Sequence, residues 1–294
     1  MRILVLGASG MLGNAMLKTM TDKEDWTVYG TVRAPSPALQ AWVPRAQLIP
    51  GIRADQPDSL VEAFTKSLPD VVINCVGLIK QLASAGDPLE AIPINAILPH
   101  RLANLCKLSQ ARLVHFSTDC VFSGKQGHYR ESDTPDAEDV YGRSKLMGEV
   151  SYPHAITLRT SIIGHELGSQ HSLIDWFLSQ QGSVKGYTQA IFSGLPTNEL
   201  ARVVRDVVIP RAELSGLYHV AAEAISKHDL LGIVNQVYGK ALQIEPDDKV
   251  RINRALDASR FHEATGYVAS PWPDLIAQMR DFRQKGESCL IKKF

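Results

Sequence analysis

Ile3-Leu4-Val5-Leu6-Gly7-Ala8-Ser9-Gly10-Met11-Leu12-Gly13 opens the chain with an apolar run, breaks it at glycines three residues apart, and resumes with helical periodicity. A glycine triplet alone is weak. Between an apolar strand and a helix it has the context that binding a dinucleotide requires. Gly7 then permits the tight turn, Gly10 lets a pyrophosphate approach the backbone, and Gly13 lets the helix pack on the strand. Ser9, Met11 and Leu12 complete the cradle, whose amides and helix dipole favour phosphate charge. After the second strand, an acid about 20 residues on would hold the ribose diol of NAD. This chain instead reads Thr31-Val32-Arg33, with no acid before Asp55. Arg33 can pair with a 2′-phosphate, so NADPH is expected over NADH, the alternative being a solvated surface arginine. Asp55 either reaches the adenine amino group or caps the helix from Ser59.

Outward from this segment, the first half alternates β-branched runs with helical stretches. Strands are expected at Ile3–Leu6, Thr27–Val32, Gln47–Ile49, Val71–Cys75, Leu113–Phe116 and Ile156–Leu158. Helices are expected at Met11–Met20, Ser59–Ser67, Pro99–Leu108 and Val140–Val150. The strands are continuous apolar runs, as for a parallel sheet covered on both faces. The fold class is therefore α/β, a doubly wound parallel sheet of the Rossmann type. The second half is less regular, with helices at Ser172–Gln180, Thr197–Val208, Lys227–Tyr238, Ala258–Thr265 and Pro273–Gln284 and a strand at Leu217–Val220. No linker separates the halves. Residues 1–160 are read as the cofactor-binding domain, joined by a strand near 216–221, and 161–294 as an intimately packed second region.

The chain has 294 residues and 31 Lys+Arg against 31 Asp+Glu, hence no formal net charge. That balance excludes a polyanion-binding surface, so no nucleic acid or acidic membrane is expected as partner. At 45% hydrophobic and 21% charged, the chain can bury a full core. Its four cysteines form no C-x-x-C pair and no metal-ligand spacing, so no metal is expected and a reducing, cytoplasmic compartment is. No apolar run approaches the roughly 18 residues of a membrane span.

Two further segments carry chemistry. Tyr141-Gly142-Arg143-Ser144-Lys145 places a phenol and an ammonium one helical turn apart. A neighbouring ammonium lowers a tyrosine from its free value of about 10 toward a usable acid–base group. Phe116-Ser117-Thr118-Asp119-Cys120-Val121-Phe122 ends the fifth strand, where open α/β sheets place their active residues. Thr118, or less favourably Ser117, can donate to a substrate carbonyl.

With these residues the chain resembles the extended short-chain dehydrogenase/reductases, and within them the dTDP-4-dehydrorhamnose reductase-like group. The likeness runs through Gly7–Gly13, Asn74–Gly77, Ser117–Gly124, Tyr141–Lys145 and Leu158-Arg159-Thr160-Ser161. It implies reduction of the 4-keto group of a nucleotide-linked (UDP- or dTDP-) 4-keto-6-deoxysugar in polysaccharide precursor synthesis. Tyr141 would be the proton donor, Lys145 its tuning partner and a ribose ligand, and Thr118 the carbonyl ligand. Val76 and Gly77 would line the cofactor, and Asn95 would support the lysine through water. The second half would form a small mixed α/β cap, with Lys185, Arg251 and Arg254 as phosphate candidates and Lys80 near the sugar. A homodimer is compatible with the likeness.

Cys120 departs from the pattern, since that group usually carries tyrosine there, in S-T-D-Y-V-F. The same slot holds a catalytic cysteine in the related GDP-fucose synthase family, paired with a histidine. An alternative is therefore an epimerase-reductase using Cys120 and His171, or His165. The bland counterpart is a small buried cysteine and a polar helix start. An alternative of another class is a non-catalytic NADP-binding subunit, because the regulatory subunit of methionine adenosyltransferase resembles the same reductases.

Overall fold

A computed structural model describes residues 1–78, 83–168 and 172–291, with side chains of 83–84 and 286–291 left aside. The first half runs β1 (Arg2–Leu6), α1 (Met11–Met20), β2 (Thr27–Thr31), α2 (Pro37–Trp42), β3 (Gln47–Ile49), α3 (Pro57–Ser67) and β4 (Val71–Asn74). It continues through α4 (Pro88–Ala91), a π-helical turn (Ile92–Ile97), α5 (Leu98–Leu108), β5 (Arg112–Thr118), α6 (Val140–Met147) and β6 (Ala155–Thr160). The second half contributes β7 (Ile162–Ile163), α7 (Leu173–Ser179), β8 (Ser183–Tyr187), β9 (Ala190–Phe192), β10 (Leu195–Pro196) and α8 (Thr197–Val203). After it come β11 (Gly216–His219), β12 (Ile225–Ser226), α9 (Lys227–Val237), β13 (Gln243–Asp247), β14 (Ile252–Asn253), α10 (Ser259–Thr265) and α11 (Trp272–Ile291).

Seven strands form one sheet in the order β11-β6-β5-β4-β1-β2-β3, with every pairing parallel. The continuous apolar strands follow from this arrangement. On β1, Ile3 and Val5 join one hydrophobic cluster while Leu4 and Leu6 join another, because alternate side chains leave opposite faces. The first cluster lies under α1, α8 and α11, through Met16, Leu17, Leu200, Leu275 and Ile276. The second lies under α3 and α5, through Leu60, Phe64, Leu98 and Leu102. Both faces are thus covered by helices, which is the doubly wound plan. The first cluster extends from Ile3 to Met279, so α11 packs back on the N-terminal elements, with Phe282 edge-on to Trp42.

Some boundaries differ from expectation. The helix expected over Val140–Val150 ends at Met147, followed by Gly148, and Glu149 instead turns into the interior beside β5. α8 begins at Thr197, as read from the sequence. Pro196 holds the cap position with no side-chain bond, and the helix continues as a π-helical turn over Val204–Val208. Asp55 does not cap α3, whose cap is Gln56, and it pairs instead with Arg53 at 2.7 Å. Among the described residues no helix is long and apolar enough to cross a membrane.

Candidate active site

The carboxyl ends of β1, β4, β5 and β6 and the start of α1 surround one region. Gly7 adopts φ +75°, and its amide donates to the Thr31 hydroxyl at 3.1 Å, while the Ala8 amide donates to the Thr31 carbonyl at 3.0 Å. These bonds hold the turn against β2. No side chain caps α1, whose cap residue is Gly10, so no side chain satisfies the first-turn amides. Ser9 and Gly10 are exposed. At Gly13 an added Cβ would stand 2.0 Å from the Gly7 carbonyl oxygen, a direct measure of how closely helix and turn approach. An uncapped helix start against a strand end fits a dinucleotide pyrophosphate.

Arg33 is exposed just past β2, and its charge acts on Asp55 beyond β3. The Arg53 guanidinium, bonded to that carboxylate, holds Asp55 below the usual carboxylate range with help from Arg33. Two arginines therefore act on one carboxylate beyond the ends of β2 and β3. Arg53 escapes a sequence reading that looks only just past the second strand.

On the other side, the Asn74 carboxamide oxygen accepts from the Val76 amide at 3.1 Å and organises the loop containing Val76 and Gly77. Asn95 sits in the π-helical turn, a conformation often found at functional sites. Its side-chain Oδ1 accepts from the Leu78 amide at 3.0 Å and its Nδ2 donates to Ser144 Oγ at 3.3 Å. Asn95 thus ties this loop directly to the helix bearing the lysine. A Cβ placed on Gly77 would lie 3.9 Å from Lys145 Nζ, so loop and lysine adjoin.

Thr118, Tyr141 and Lys145 converge here. The Asp139 side chain caps α6 through the Gly142 amide at 2.7 Å and so fixes the start of the helix. The Thr118 hydroxyl lies close enough to the Tyr141 phenol to favour its ionised form, stands 3.2 Å from Asp119 Oδ1, and accepts from the Cys120 amide at 3.1 Å. Ser117 points elsewhere, donating to Glu149 Oε1 at 2.6 Å, so the hydroxyl beside the tyrosine is that of Thr118. Lys145 is buried and donates to the Phe116 carbonyl at 2.6 Å. Burial pushes its ammonium down to about 8, opposed by Glu149.

Tyr141 departs from expectation. Burial, then Cys120, Asp119 and Asp139, push its phenol well above the usual tyrosine value, with the Thr118 bond pulling back. With the Lys145 ammonium donating to the β5 backbone, these groups outweigh any lowering by the lysine. The protein groups by themselves therefore keep Tyr141 a neutral phenol, the form needed to donate a proton.

Cys120 is half-buried beside Tyr141, and its side chain hydrogen-bonds Asp119, whose carboxyl burial raises while Arg254 and Lys227 pull it down. His165 is committed to Asp175 at 2.5 Å and Tyr238 at 2.7 Å, which takes both ring nitrogens. His171 and Lys80 lie outside the described residues. Lys185 stands exposed on β8, 3.8 Å from Asp247 of β13. Arg251 pairs with Asp248, and Arg254 donates to the carbonyls of Phe122 and Ser123, so neither is a free cation.

Comparison with known proteins agrees with this architecture. The model of the RmlD substrate binding domain matches residues 1–278. The probable low-salt glycan biosynthesis reductase Agl14 of Haloferax volcanii is 27% identical over 251 residues, covering 81% of each chain. The zebrafish (Danio rerio) methionine adenosyltransferase 2 subunit beta is 29% identical over 78% of this chain and 71% of its own. The Bacillus anthracis dTDP-4-dehydrorhamnose reductase, solved in complex with NADP, superposes with a TM-score of 0.75 at 18% identity, covering 95% of this chain and 98% of that one. The chain belongs to the RmlD substrate binding domain family of extended short-chain dehydrogenases/reductases, a family of nicotinamide-dependent oxidoreductases.

Proposed function

We propose that this protein reduces the 4-keto group of a nucleotide-linked 4-keto-6-deoxysugar, with NADPH preferred. The observation that carries the reading is the junction of Thr118, the neutral Tyr141 phenol and the buried Lys145 ammonium beside an uncapped glycine turn. In this reading the α1 amides hold the cofactor pyrophosphate, Arg33 and Arg53 face the adenosine end, and Val76 and Gly77 line the nicotinamide side. When bound, the reduced nicotinamide supplies the hydride to the carbonyl carbon. Thr118 orients the carbonyl oxygen, and Tyr141 gives it a proton as negative charge develops there. Lys145 stabilises the tyrosinate left behind. Residues 1–160 hold the cofactor and 161–294 select the sugar.

The test is NADPH oxidation against UDP-, dTDP- and GDP-4-keto-6-deoxysugars, with Tyr141→Phe as control. Turnover on one of them, lost by at least a hundredfold in Y141F with NADPH binding intact, is expected. Stoichiometric NADPH binding without turnover on any keto-sugar would favour a cofactor-holding subunit, a reading supported by the likeness to the methionine adenosyltransferase subunit. The Cys120–Asp119 contact keeps the epimerase-reductase reading in view. Turnover in deuterium oxide separates the two, because only epimerisation labels the carbons flanking C4.

A further inference from the structure

Behind Tyr141 and Lys145 the sheet carries a buried charged layer. Glu149, two residues past the end of α6, accepts from Ser117 Oγ at 2.6 Å and from Arg159 Nε at 2.9 Å on Oε1, and from a second Arg159 nitrogen at 2.6 Å on Oε2. The side chains of Arg159 and Glu149 are 2% and 11% exposed. Arg159 also lies over the Phe122 ring at 5.0 Å and donates to His219 Nε2 at 2.9 Å. His219 must then be neutral with its proton on Nδ1, which donates to the Tyr129 carbonyl at 3.0 Å. One carboxylate so connects the end of the helix of Tyr141 and Lys145 to β5 and β6, and through Arg159 to β11.

A buried ion pair rarely repays its own desolvation, so stability does not explain this layer. What it holds does. Ser117 and Phe116 adjoin Thr118 on β5, and the Phe116 carbonyl is the acceptor for Lys145. We propose that Glu149 is a positioning residue for the reduction: pinned by Ser117 and Arg159, its carboxylate fixes the end of α6 against the strand carrying Thr118 and sets the negative charge that Lys145 faces. This rests on Tyr141 and Lys145 being the proton-donating pair.

The surroundings of Lys145 isolate the effect of Glu149. On β5, His115 is buried and held neutral, well below its ordinary value, first by burial and then by Lys145 itself. The π-helical turn offers uncharged Asn95, and Asp119 and Cys120 act on Tyr141. Among the described residues Glu149 supplies the charge that opposes the burial of Lys145.

Glu149→Gln keeps the volume and removes the charge. In the whole enzyme, the midpoint of the Lys145 Cε signal, followed by 13C NMR on lysine-labelled protein and assigned with K145M, should fall by about one pH unit from its value near 8. The alkaline limb of kcat for reduction should move with it, while the NADPH dissociation constant changes less than about threefold. A purely structural role would lower kcat at every pH and leave midpoint and limb where they are in the wild type, and that result overturns the proposal. If E149Q does not fold, E149M/R159M removes both charges at similar volume, with the same expected and overturning outcomes. Full turnover in Y141F would instead sink the proton-donor role of Tyr141, and the NMR midpoint would still decide the role of Glu149.

Discussion

Gly13 sits inside α1, where helix propensity alone favours alanine by about 1 kcal/mol. The structure reverses that sign. An alanine Cβ would stand 2.0 Å from the Gly7 oxygen, 2.8 Å from the Gly7 carbonyl carbon and 2.9 Å from Ala8 Cα. All three are backbone atoms of a turn tied to Thr31 by two hydrogen bonds, so no side chain can swing away. Relief requires α1 to move by about 1 Å, and overpacking of this kind costs about 1–3 kcal/mol. Against rigid backbone the upper part of that range applies, so G13A should lose about 2 kcal/mol in urea unfolding. The same movement carries the first-turn amides off the phosphate, raising the NADPH dissociation constant about tenfold. Gly10→Ala is the contrast. Its Cβ meets nothing nearer than the Gly7 oxygen at 3.5 Å, so stability should stay within about 0.5 kcal/mol while cofactor binding, read by NADPH fluorescence, collapses. A G13A protein as stable as wild type with unchanged NADPH affinity would refute the reasoning.

Three further outcomes follow from the site. R33A/R53A should weaken NADPH binding by about tenfold or more and leave NADH binding unchanged, measured by fluorescence titration, because only the 2′-phosphate distinguishes the two ligands. Equal losses for both would show that the arginines serve the fold. Thr118→Val should cost kcat about a hundredfold with the NADPH dissociation constant intact, and T118S should restore most of it; an inactive T118S would mean that the methyl group, and not the hydroxyl, matters. His219 is held down to about 4 by burial and Arg159, against a usual value of 6.5. Its contribution is complete above pH 6.5 and is lost as pH falls through 4. His219 should therefore contribute about 3 kcal/mol to the fall in wild-type stability across that window, and urea midpoints of H219Q should show a visibly shallower fall.

Much of this molecule was legible because its physics is local or periodic. Ile3–Leu6 reads as a two-sided strand since both of its faces are buried, and the glycine spacing carries its own stereochemistry. The short helices were less visible. Ser36-Pro37 and Asp87-Pro88 each carry a cap followed by proline, and Ser36 and Asp87 do cap α2 and α4, but six and four residues are too few to show a period. The strands β8 and β13 alternate or are exposed, and they pair with each other across about sixty residues of sequence, which no local pattern records. At the site, Thr118, Tyr141 and Lys145 stood out by type and spacing. Glu149, Arg159 and His219 did not, because their meaning lies in contacts among β6, β11 and the end of α6. Nor could spacing tell that Ser117 and Thr118, adjacent on a strand, face opposite sides and that only one of them meets the tyrosine.

The fold is shared by relatives named as reductases and by one named as a subunit of another enzyme, so it is the energetics of Lys145 that discriminate between the proposed reductase and a cofactor-holding subunit. Burial holds its ammonium at about 8 against 10.5 in water. A folded-state value depressed in this way means that at pH 7 the native protein carries a desolvation cost of about 3 kcal/mol, which disappears as pH rises through 10.5, where both states are neutral. Lys145→Met has nearly the same length and no charge to bury. It forfeits the charge-assisted bond to the Phe116 carbonyl, worth about 1.5–3 kcal/mol, so a net gain of about 0.5–2 kcal/mol is expected at pH 7 and none above pH 10.5. Reduction should be abolished in the same variant. Stability gained where turnover is lost is the mark of a group retained for chemistry at a cost to the fold. Urea unfolding at the two pH values decides the matter: a K145M protein less stable than wild type at pH 7 would make Lys145 a structural group, and would leave the cofactor-holding reading the stronger one.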